Sequence, residues 1–388
     1  MAVDYEMVDE IADAIVAFRR DLADHPEVGP DVARTASKVV DQLEQTSLRV
    51  RARAGFPEQS SMGVIADLRV PNAERTVALV ADMSAQRVRP EDGSRRKCSH
   101  VSGNDAHTAM LVGTAMLLHR SDVSSNIRFV WQSGGDMLSD GAQAMIRDGA
   151  LVDVDEVFAV HLWPGLESGK VGLVDGPVMA SLDRFQLELR GPREVRPWHH
   201  RKIDGIRIGS AVVQKLDRLN NGEVRERVGA GALRCVVTHF MAARAQEGVP
   251  PDQVVLEGEL RALSDEERES ARQRLDEVVR QCAEDYDGTA RLKVMARGNV
   301  TVNDRSSVQR ARDWVGRHLG EDCLATVSPS AFSSGLSGYL EQVPGAMVPL
   351  GCDGDTAEPA SLLLSPSFSF DDRCLALGIR VLAVLATG

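Results

Sequence analysis

Three short runs, TVALVAD (76–82), NIRFVWQ (126–132) and EVFAVHL (156–162), are apolar almost without interruption. A strand with one face in water alternates apolar and polar residues. Runs like these instead predict strands covered on both faces, as in a parallel sheet. Between them, AHTAMLVGTAMLLHR (106–120) and GAQAMIRDGAL (141–151) carry helical spacing. The alternation predicts an α/β layer with a mostly parallel central sheet and helices on both faces. LRVRARA (48–54) and MGVIADLRV (62–70) add strands, and the amphipathic stretch DEIADAIVAFRRDLADHPE sets Ile11, Ile15 and Phe18 on one helical face.

From residue 184 the pattern changes. RFQLELRG (184–191) and VVLEGELRAL (254–263) alternate as half-solvated antiparallel strands do. SDEERESARQRLDEVVRQCAEDY (264–286) reads as a helix with Ser264 as N-cap and acidic residues in its first turn, and ARLKVMARG (290–298) closes the segment. The α/β style then returns with SSVQRARDWVGRHLG, GAMVPLG and a final apolar helix. A chain of 388 residues exceeds what one core usually serves. The expected organisation is a discontinuous α/β domain, 1–183 and 296–388, interrupted by an α+β domain at 184–295.

Composition narrows the functional classes. A net charge of −12 argues against a nucleic-acid partner, and the basic stretch Arg193–Arg201 is interleaved with Glu and Pro, as in a solvated loop. MAVDYEMVDE lacks the basic and apolar regions of a signal peptide, and CLALGIRVLAVLATG is interrupted by Arg380 and too short to span a bilayer. The six cysteines form no CxxC pair, which suits reduced thiols in a cytoplasmic protein. No Gly-rich phosphate loop follows a strand, so no nucleotide cofactor is expected.

In open α/β sheets ligands sit beyond the carboxyl ends of the strands. Those ends carry Asp82, Gln132 followed by SGGD, and His161. The turn SHVSGNDAHTAM (99–110), running into an apolar helix, faces the same rim. Asp82, Asp105, His107, Asp136 and His161 therefore form one candidate polar cluster. Each has a plainer reading: Asp105 can cap its helix, and His107 can be a satisfied structural histidine.

The motifs FRRDLADHPEVG, VIADLR, VALVADM, GNDAHTAML, AVHLWPG, LEGELR, YLEQVPGA and LSPSFSF occur in an order that resembles the N-acyl-amino-acid amidohydrolases. That group, with the hippurate and auxin-conjugate hydrolases, lies in the aminoacylase-like metallopeptidase superfamily. The resemblance runs over roughly residues 14–385. It implies an α/β domain holding two divalent ions such as zinc, manganese, cobalt or nickel, and an inserted lid domain through which two copies pair.

Carried over position by position, the resemblance implies an altered site. Its loop cysteine and histidine ligands fall at Ser102 and Asn104, and its general base and neighbouring carboxylate ligand at Gly135 and Asp136. One histidine ligand persists as His161, and the last falls at Leu364. A lid histidine falls at Val195, a lid asparagine at Gly248 and a Glu-Asp pair at Ser334-Gly335. Arg261 is kept where relatives turn an arginine toward the substrate carboxylate, although a strand-end surface arginine reads equally well. Hydroxyl, amide and leucine are poor exchanges for thiolate and imidazole, so no metal cofactor is expected, with Asp82, Asp136 and His161 as residual ligand candidates and His100 as a further one.

Three readings follow. The first is a pseudoenzyme of the family that binds an N-acyl amino acid-like small molecule or a protein partner. The second is a repurposed enzyme of acyl transfer, condensation or cyclisation, with Ser102 or Ser334 as candidate nucleophile and no GxSxG elbow. The third is an amide-bond hydrolase with one rebuilt metal site. A cytoplasmic homodimer through the lid domain, with no nucleic-acid or membrane partner, is common to all three.

Overall fold

The computed structural model describes residues 3–54, 63–88, 97–134, 140–191, 205–221, 234–242, 251–354, 363–365 and 368–388. The chain divides into two compact units: residues 1–176, 302–328 and 335–388 form the first, and 177–301 with 329–334 the second.

The first unit is built on an eight-stranded sheet. Its middle is a parallel quartet in the order 126–132, 76–82, 156–167, 345–353. The apolar runs become these strands because both faces are covered: Thr76 to Ala81 and Ile127 to Gln132 are buried throughout. On one side the sheet continues antiparallel through Gly63–Leu68 and Arg49–Ala54. The sheet is therefore mixed at its edges and parallel at its centre. Helix Glu6–Asp24 buries Val8, Ile15, Phe18 and Leu22 at helical spacing, while Ile11 is only partly covered. Helices Asn104–Leu118 and Cys374–Thr387 are apolar nearly all round and lie in the same core. Among the described residues no helix is long and apolar enough to cross a membrane.

The second unit carries a four-stranded antiparallel sheet in the order 234–242, 253–261, 182–190, 289–298. Along Leu182–Arg190 the alternation is direct: Phe185, Leu187 and Leu189 are buried, and Arg184 and Arg190 are exposed. Helices Gly205–Asn221 and Asp265–Asp285 close this core with Ile208, Val212, Leu275 and Val279. Ser264 caps the second of these, its hydroxyl accepting the Glu267 amide at 3.1 Å. The strand Arg234–Ala242 and the helix Gly205–Asn221 escape the sequence reading. The strand lies at the sheet edge with most side chains exposed, which erases the alternation. Asp183 is fully buried between Arg268 and Arg272, accepting from Arg268 Nη2 at 2.6 Å and from Arg272 Nε at 2.7 Å.

Candidate functional site

The turn before helix Asn104–Leu118 is set by Gly103, whose φ of 78° lies in the left-handed region that glycine enters freely. A Cβ there would also meet Leu162 Cδ1 at 2.7 Å. The Gly103 N–H donates to the His100 carbonyl and its own carbonyl accepts from the His107 N–H, each at 2.9 Å. Side chains staple this turn to the end of strand Thr76–Asp82. Asn104 Nδ2 donates to the Ser84 carbonyl at 2.8 Å, and Thr108 Oγ1 donates to the Asp82 carbonyl at 3.1 Å.

Asp82 and Gln132 end adjacent parallel strands in register. Both carboxylate oxygens of Asp82 are engaged, Oδ1 by the Ser84 N–H and Oδ2 by Gln132 Nε2, each at 2.7 Å. Burial raises the Asp82 pKa, and these hydrogen bonds oppose that rise. Tyr339 is fully buried nearby; burial, and then the Asp82 charge, push its phenol well above its ordinary value.

His107 and His161 sit on the same wall, their ring centroids 4.5 Å apart. His107 Nε2 accepts the Leu162 N–H at 3.0 Å, which assigns its proton to Nδ1. Burial, then the neighbouring His161 and His100, lower its pKa well below that of free imidazole. His161 Nδ1 lies 2.8 Å from the Leu162 carbonyl. A carbonyl only accepts, so Nδ1 carries the proton and Nε2 keeps its lone pair. Burial lowers the His161 pKa as well.

Asp105 is not the helix cap: that position is Gly103, and Asp105 lies inside the first turn. It is buried against Arg19, which donates from Nη1 at 3.5 Å and also pairs with Asp372. Burial raises Asp105 to about 6 despite the guanidinium. His100, also buried, is lowered to about 4 by desolvation. Arg19 further lies over Phe370, 4.8 Å from its centroid. No sequence signal singled out Arg19, because an amphipathic helix commonly ends in solvated arginines.

Ser102 and Asn104 are half-buried, and Leu364 lies beside this turn, its N–H donating to the Val101 carbonyl at 2.7 Å. The structure thus gathers Asp82, Asn104, Asp105, His107 and His161, with Ser102 and Leu364, around one turn of the first unit. Ser334 and Arg261 belong to the second unit. There Arg261 is largely occupied: Nε and Nη2 donate to Glu259, and Nη1 to the Ala331 carbonyl and the Ser333 hydroxyl. Gly135, Asp136, Val195 and Gly248 lie outside the described residues.

The chain matches Peptidase family M20/M25/M40 over residues 78–387. It belongs to the M20 peptidase family. Among relatives, the M20 chain is 33% identical to an N-acyl-L-amino acid amidohydrolase of Geobacillus stearothermophilus, over 71% of its own length and 74% of the relative's. It is 27% identical to an N-acetylcysteine deacetylase of Bacillus subtilis, covering 96% of both. A Bacillus subtilis structure described as a dinuclear metal binding peptidase from the M20 family superposes with a TM-score of 0.78 at 25% identity, covering 98% of both chains.

Membership corrects one expectation. The family includes dinuclear metal-binding peptidases, so a divalent metal is the cofactor to expect, not none. Replacing ligand residues does not by itself remove a family's cofactor, because other side chains can take over coordination. Among the described residues no group of three His, Cys, Asp or Glu side chains converges on a point. Each Asp82 oxygen accepts one protein hydrogen bond, and Leu364 has no side-chain ligand atom to offer. The described residues by themselves do not complete a two-ion centre. What they offer directly is the His161 Nε2 lone pair, on a ring held by the Leu162 carbonyl, and a half-buried Ser102 in the turn before helix Asn104–Leu118.

Proposed function

We propose that this M20 protein recognises an N-acyl amino acid-like amide at the rim of its central sheet and does not carry the family's amide hydrolysis. The observation that carries this reading is Asp82. At the strand end that faces the rim, its carboxylate is held by Ser84 and Gln132 and, among the described residues, lies in no cluster of three ligand side chains. A carboxylate locked into two protein hydrogen bonds is a structural strut, and freeing it costs its partners their acceptors. The ligand class is supported by the relatives named for N-acyl amino acids and N-acetylcysteine. His161 and Ser102 supply polar contacts for the amide.

The reading includes a homodimer through the second unit. Its support is the edge strand Arg234–Ala242, on which Val236, Phe240 and Met241 are 47%, 40% and 47% exposed. An unpaired apolar edge is a template for strand pairing. Light scattering of the full chain should give twice the chain mass, reduced to one chain mass by Phe240→Lys with Met241→Glu.

The functional test uses protein loaded with zinc, manganese and cobalt in turn, since the family expects a divalent ion. N-acetyl-L-amino acids should bind by calorimetry and remain intact by mass spectrometry. Release of acetate that disappears with His161→Ala would overturn the reading and make the amidohydrolase with a rebuilt metal site the conclusion.

A further inference from the structure

Among the described residues, the non-glycine positions with positive φ are Asn72, Asp153, Asp287 and Leu364. Asn and Asp visit the left-handed region because their short polar side chains bond locally. Leucine has no such compensation, yet Leu364 holds φ at 69°. Its side chain is also 40% exposed, among the few large apolar residues so placed. The backbone is pinned rather than loose. The Leu364 N–H donates to the Val101 carbonyl at 2.7 Å, and the preceding Leu363 is buried.

The conformation and the exposure both work against folding. Strain of this kind persists where surrounding structure imposes it, and it points to a role outside the chain's own stability. The pinning sets that role. Residue 364 lies alongside residue 101, next to the half-buried Ser102 and close in sequence to Asn104. Polar groups therefore flank one side of a fixed, exposed apolar side chain. A molecule joining an amide to a hydrocarbon tail matches that pairing.

We propose that Leu364 is the specificity residue for the acyl group, selecting N-acyl amino acids with a medium-length hydrocarbon chain over N-acetyl ones. This rests on the ligand-binding reading above and names the substrate class for the same site. The left-handed backbone presents the side chain outward, where the tail covers it and removes it from water.

The test is calorimetric titration of the full chain with N-acetylglycine, N-butanoylglycine and N-octanoylglycine. Wild-type affinity should rise along the series. Leu364→Gly should weaken N-octanoylglycine by about 3- to 10-fold, the worth of burying the 40% of the leucine side chain that is exposed, and leave N-acetylglycine nearly unchanged. Glycine accepts the left-handed region, so this variant should unfold at the same temperature as wild type or higher, which separates lost contact from lost fold. Leu364→Met should retain the rise. Equal wild-type affinity for all three probes, or an unchanged series in Leu364→Gly, overturns the acyl assignment and leaves the binding reading standing. Wild type that binds none of the three overturns both.

Discussion

His107 and His161 share one residue: the Leu162 N–H donates to His107 Nε2 at 3.0 Å, and the Leu162 carbonyl accepts from His161 Nδ1 at 2.8 Å. The two histidines are therefore fixed as the same Nδ1–H tautomer by the two backbone groups of one residue. His107 faces inward at 5% exposure, whereas His161 is half-buried with Nε2 uncommitted. Replacing His107 by Ala leaves a buried N–H without an acceptor and opens a cavity. It should cost about 2–4 kcal/mol. His161→Ala should cost under about 1 kcal/mol and weaken ligand binding instead. Urea unfolding of both variants, beside calorimetry, checks the contrast.

Stability should depend on pH through two groups acting in opposite directions. Asp105 is raised from 3.8 to about 6, so it favours folding below pH 3.8 and loses that contribution as pH rises through 6. His100 is lowered from 6.5 to about 4, so its contribution is present above pH 6.5 and lost as pH falls through 4. Between roughly pH 4 and 6 the two largely offset. Asp105→Asn removes only the first, so its urea midpoint should climb more steeply with pH over that window than wild type. Identical slopes would show that Asp105 does not titrate there.

The buried Asp183 ties Arg268 and Arg272 together inside the second unit. The two hydrogen-bonded guanidiniums hold its carboxyl below the ordinary carboxylate range against the opposing effect of burial. Removing one partner of such a group strands the remaining charge. Arg268→Leu should destabilise this unit by about 3–5 kcal/mol, and Arg272→Leu, on the more exposed partner, by less. Amide exchange over residues 253–298 should rise in Arg268→Leu while the strand 76–82 stays protected.

Thiolate and imidazole are the ligands that Ser102, Asn104 and Leu364 lack. Combining Ser102→Cys, Asn104→His and Leu364→His should raise the zinc retained per chain after dialysis above the wild-type value, by plasma mass spectrometry. Equal retention would mean that the backbone of the turn no longer aims these positions at a common point.

The sequence by itself determined the layers. Apolar runs such as TVALVAD can be satisfied only by a sheet covered on both faces, and the alternation in RFQLELR only by a sheet wet on one. It also located the turn at Gly103 and the strand end at Asp82, because these depend on local backbone chemistry; the strand expected to end just after His161 instead runs on to Glu167. It did not determine what the side chains there do. That Asp82 is spent on Ser84 and Gln132, that Arg19 clamps Asp105 and Asp372, and that Leu364 is pinned to Val101 in a left-handed conformation were decided by tertiary structure. Apart from the local Asp82–Ser84 bond, each of these pairs joins segments far apart in the chain or fixes a backbone angle from outside. A hydrogen bond between residues 19 and 372 leaves no period or spacing for a sequence to carry.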